Sequence, residues 1–120
     1  MANAAEITKA VGVHGLWKQR LRQAIDTGKS EFTVERVYPD NGCDFGKWLH
    51  GLPAADKTSE DWKKVQQLHA QFHVEASRVL DLALKGHKPE AENALIGDSP
   101  FAKVSGDLTV AMMKWKESST

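Results

Sequence analysis

Three stretches of this chain repeat apolar residues at steps of three and four, and that rhythm limits what the chain can fold into. Ile7, Ala10, Val11, His14, Trp17, Leu21, Ala24 and Ile25 fall on one helical face, with Gly28 as the stop signal. Trp62, Val65, His69, Phe72, His73, Ala76, Val79, Leu80 and Ala83 form a second stripe. Its helix is predicted to start near Thr58 or Ser59, with Glu60 and Asp61 favourably placed in the first turn, and to close at Gly86. Ser99-Pro100, a capping Ser followed by Pro at the first helical position, opens a third helix. Its seam is Phe101, Val104, Leu108, Ala111, Met112 and Trp115, and a shorter helix is predicted over Glu90 to Ile96. An apolar stripe must be covered by another element, so the expected fold is all-α. The expectation is an antiparallel helical bundle of three long helices plus two short ones, forming a single domain over residues 1–120.

The segment between the first two long helices reads differently. Glu31-Phe32-Thr33-Val34 suits an extended conformation, and Tyr38-Pro39-Asp40-Asn41-Gly42 is dense in turn residues. From Cys43 to Gly51 a short helix bounded by glycines is predicted.

Charge excludes several classes of partner. The chain has 16 basic and 16 acidic residues, and each half carries eight of each, so no region holds the cationic surplus that binds nucleic acid. A polybasic membrane anchor is excluded on the same ground. No charge-free stretch approaches the roughly 20 apolar residues of a spanning helix, and the first residues lack the basic-then-apolar order of a signal peptide. The expected setting is the cytoplasm, without membrane insertion. A single Cys cannot form an intramolecular disulfide, which leaves Cys43 inert, reactive or a metal ligand.

The histidines sharpen that choice. His69 and His73 stand four residues apart inside an apolar stripe, so both imidazoles can reach one ion. His14 lies midway along the core face of the first helix. A lone His on such a face is ordinarily a hydrogen-bonded core residue, and a free Cys is commonly a small buried hydrophobe. Three such His with one Cys would complete a tetrahedral zinc shell. Cys43 follows Asn41-Gly42 and opens a short helix, a setting that favours the thiolate. His50 and His87 are expected at the surface, and Trp17, Trp48, Trp62 and Trp115 read mostly as core.

The pattern His14-x-x-Trp17, Cys43-x-Phe45-Gly46-x-Trp48 and His69-x-x-x-His73 resembles the chemoreceptor zinc-binding (CZB) domain family. The stretch from Ser99-Pro100-Phe101-Ala102 through Met112 to Trp115 is similar to that family's last helix, and the likeness runs from about Ala5 to Lys116. The resemblance implies a helical bundle, typically homodimeric, that holds Zn2+ through His14, Cys43, His69 and His73. It implies regulation of bacterial chemoreceptors or diguanylate cyclases, with sensing of zinc or of oxidants such as hypochlorous acid at the cysteine. The chain has no room for a receptor signalling region or a cyclase domain. The expectation is therefore either a stand-alone member or a domain of a longer protein, acting through a signalling partner or an output domain.

Four protein ligands leave no position for a reactive water, so the expected role is regulatory and not enzymatic. Oxidation of Cys43 would loosen its short element, which is read as the least anchored piece of the bundle. The alternative is a structural-zinc helical adaptor or dimerisation module with no sensing role. A hemerythrin-like di-iron carrier needs bridging carboxylates, and the core stripes contain none. Glu6, Asp44, Asp81 and Asp107 are candidates, by proximity to the motifs, for orienting the His rings.

Overall fold

The computed structural model describes residues 4–30, 33–38 and 44–118; the side chains at 13, 14 and 44 lie outside the described residues, as does all of 39–43, where Cys43 falls. Helices α1 (Ala4–Thr27), α4 (Glu60–Leu84) and α6 (Pro100–Ser118) are the three long elements. Shorter pieces are α2 (Val34–Val37), α3 (Asp44–His50) and α5 (Lys88–Leu95), with a 3-10 turn at Asp56–Thr58. No strand occurs among the described residues, and the all-α bundle expected from the periodicity is the observed fold.

The helix ends follow their local chemistry. Ser59 accepts a hydrogen bond from the Trp62 amide at 3.0 Å and starts α4. Ser99 accepts one from the Ala102 amide at 3.2 Å ahead of Pro100. Gly28 and Gly86 follow α1 and α4 with φ of 71° and 79°, a left-handed turn that glycine makes without a Cβ clash. α5 starts two residues earlier than the predicted Glu90, because Pro89 fits a first helical turn, and it ends before Ile96, which is extended.

One short helix was not anticipated. Val34, read as extended, opens α2, since the Thr33 hydroxyl caps the turn by accepting from the Arg36 amide at 3.3 Å. Residues 31 and 32 of that extended reading lie outside the described residues.

α4 sits centrally, packed on α1, α2, α5 and α6. Ser118 at the end of α6 donates to Asp61 at the start of α4 at 2.7 Å, while Phe101 at the start of α6 stacks on Phe72 at 5.0 Å. α6 therefore runs antiparallel to α4. The link between α1 and α4 descends along α4 in the opposite direction, for its contacts pair Val37 with His73, Phe45 with His69, and Leu49 with Trp62.

Candidate metal centre

The 3.6-residue period of α4 places His69 and His73 on consecutive turns of its buried face, with 0% and 1% of their surface exposed. Their ring centroids are 4.5 Å apart and their Nε2 atoms 3.0 Å apart. Trp17 of α1 meets His73 edge-on at 5.7 Å, and Phe45 of α3 leans on His69 at 4.5 Å. Phe72 stands against His73 at 5.9 Å. Aromatic rings thus wall the imidazoles on several sides, which raises the electrostatic cost of any ring nitrogen left without hydrogen bond or ligand.

The proton positions follow from one contact. His73 Nδ1 lies 2.7 Å from the Val37 carbonyl oxygen. A carbonyl only accepts, so Nδ1 carries the proton, and in the neutral ring Nε2 holds the lone pair. His69 Nε2 then donates to His73 Nε2 when no ion is present. For both Nε2 atoms to act as ligands to a cation, the His69 proton would move from Nε2 to its buried Nδ1, so that the ring ligates as a neutral imidazole.

The residues fit zinc by this measure. Two nitrogens on one tetrahedral zinc, each at ~2.05 Å, stand roughly 3.4 Å apart. The observed 3.0 Å needs to open by only a few tenths of an ångström. Zinc prefers imidazole and thiolate donors, and no carboxylate is buried among the described residues, a donor set that suits zinc better than a hard cation or a di-iron centre.

His14 lies on α1 in the register of the buried stripe, four residues after Ala10 and three before Trp17. Among the described residues no group of three or more His, Cys, Asp or Glu stands close enough to hold an ion. The His14 side chain and Cys43 fall outside that set. His87 is exposed, as expected. His50 is not at the open surface but half-buried, with its ring edge-on to Trp62 at 6.3 Å.

The described hydrogen-bond partner of His73 Nδ1 is a main-chain carbonyl, that of Val37. Among the carboxylates singled out by proximity, Glu6 accepts from Trp48 Nε1 at 3.4 Å, and Asp81 pairs with Lys85 at 3.0 Å on the surface. Asp107 lines an open groove between α4 and α6, and the Asp44 side chain lies outside the described residues. A backbone acceptor such as the Val37 carbonyl leaves no residue-type signature in a sequence.

These features define an all-α bundle with a buried pair of convergent imidazoles, the form of a metal-binding helical domain. The model of the chemoreceptor zinc-binding domain matches residues 14–80, more than half of the 120-residue chain, and the chain belongs to that family. Zinc is accordingly its cofactor, and its setting is chemoreceptor-type signalling. No curated protein and no solved structure matches the chain. None of the described helices is long and apolar enough to cross a membrane.

Proposed function

We propose that residues 1–120 form one zinc-binding sensory domain in which His14, Cys43, His69 and His73 hold a single Zn2+. The observation that carries this reading is the Nε2 pair, buried and 3.0 Å apart. Two further contacts support the complete set. Trp17, three residues after His14, touches His73, and Phe45, two residues after Cys43, touches His69. Three imidazoles and a thiolate leave no open position for water, so the role is regulatory and not hydrolytic.

Bound zinc keeps a cysteine ligand in its thiolate form. Hypochlorous acid converts that thiolate into a sulfenic acid and releases chloride: sulfur gives up two electrons, chlorine accepts them, and the oxygen and its proton end on sulfur. Cys43 then ligates weakly, while His69 and His73 keep their places on α4. Loss of zinc at low availability frees Cys43 by a second route. Either event feeds a cytoplasmic bacterial output of the chemotaxis or cyclic-di-GMP type, through a homodimer or a signalling partner.

One observation favours a second reading, that of a structural zinc in an adaptor or dimerisation module. α3 buries Phe45 and Leu49, and Trp62 Nε1 donates to the Leu49 carbonyl at 3.1 Å, so the element beside Cys43 is firmly held. Metal analysis of the purified protein beside Cys43→Ala and His69→Ala tests the site. The expected result is one zinc per chain in the wild type, with affinity lowered about 100-fold or more in each variant, given ~10–16 kcal/mol for a four-ligand zinc. A wild type without zinc contradicts the proposal. Titration with hypochlorite separates the readings: release of zinc near one equivalent marks a sensor, and retention marks a structural ion.

A further inference from the structure

We propose that the Val37 carbonyl is the positioning group for His73, and that α2 thereby ties the link carrying Cys43 to the metal site on α4. This rests on the zinc-site reading above. A helix leaves its last carbonyls without partners inside the helix. In α2 the Thr33 and Val34 carbonyls accept from the amides of Val37 and Tyr38, whereas Val37 turns its own carbonyl to His73 Nδ1 at 2.7 Å. The Val37 side chain is 1% exposed, so packing fixes the direction of that carbonyl. The Thr33 hydroxyl holds the turn from its other end. With Nδ1 committed, Nε2 is the atom that His73 presents to its neighbour, and a hydrogen bond at Nδ1 makes Nε2 the better ligand.

The placement also has a consequence for the link. Val37 grips His73 six positions before Cys43, and Phe45 covers His69 two positions after it. The described residues on either side of residues 39–43 thus each contact one of the two histidines. A change in the ring of His73 is felt first at α2.

The test combines ring-nitrogen NMR with zinc titration. In the metal-free wild type, long-range 15N spectra are expected to show His73 protonated on Nδ1, with scalar coupling across the hydrogen bond to the Val37 carbonyl. Thr33→Ala removes the cap of α2 and is expected to weaken zinc binding about 10-fold, in the range for the loss of a ligand-orienting partner. The same variant should leave His73 a mixture of both ring tautomers. Ser99→Ala removes the comparable cap of α6 and should change neither readout. A wild-type His73 protonated on Nε2 overturns the proposal, even if Thr33→Ala fails to fold. Unchanged zinc affinity in a folded Thr33→Ala overturns it too. A wild type that binds no zinc instead refutes the ligand set, and the metal-free spectra still decide the role of Val37.

Discussion

His69 and His73 stand on a 25-residue helix, whereas the residues that close over them belong to a link built from helices of four and seven residues. The two walls of the pocket are held in different ways. α4 has its own hydrogen-bond ladder and a continuous buried stripe from Val65 to Ala83, so its histidines are positioned before any ion arrives. The link depends on single anchors: Val37 in α2, Phe45 and Leu49 in α3, and the indole bonds from Trp48 to Glu6 and from Trp62 to Leu49. A pocket with one preformed wall and one anchored wall can lose a ligand from the second without dissolving the first.

The anchors also correct an expectation drawn from the glycine-flanked sequence around Cys43. α3 is not the least anchored piece of the bundle, for Phe45 and Leu49 are 2% and 0% exposed. α2, with Val37 alone buried, has less to hold it. Under the proposed ligand set, the response to releasing Cys43 is therefore expected between Val37 and Phe45, with α3 as a fixed end.

The largest effect expected from breaking this contrast is at Phe45. Phe45→Ala empties the space beside His69 and should cost the metal-free protein about 3–5 kcal/mol, read by urea denaturation. A loss under ~1 kcal/mol would show that α3 is not an anchor of the second wall. Next in size is the response to chelation. Removing zinc should speed amide exchange across residues 33–45 by about 10-fold, which is ~1.4 kcal/mol of local stability. The α4 core should stay within about twofold; equal acceleration in both walls would erase the distinction between them. The smallest effect is at Trp48, whose 3.4 Å bond to Glu6 is long and only part-buried. Trp48→Phe should cost about 0.5–1 kcal/mol and leave zinc affinity unchanged. A marked fall in zinc affinity there would mean that the bond steers the site and does not merely pin α3.

The two walls were unequally legible in the sequence. α4 could be read because burial of one helical face imposes a period, and Ser59 and Gly86 mark its ends by chemistry that acts locally. The same logic found α1, α6 and the inward-facing histidine pair. The link resisted reading for two reasons. A four-residue helix has too few positions to show a period, and Thr33, which suits a strand, serves here as a cap. The contact to His73 Nδ1 comes from a main-chain oxygen, which every residue type supplies alike. Proximity singled out Glu6, and only the fold shows that α3 turns Trp48 toward that carboxylate.

In the proposed site one ion joins the two walls, through three nitrogens from His14, His69 and His73 and one sulfur from the link. Zinc K-edge absorption on the loaded protein tests it most directly. The expected shell is a single sulfur at ~2.3 Å with three nitrogens at ~2.0–2.1 Å, and Cys43→Ala should lose the sulfur while keeping the imidazoles. A wild-type shell without sulfur, or one unchanged in Cys43→Ala, would contradict it.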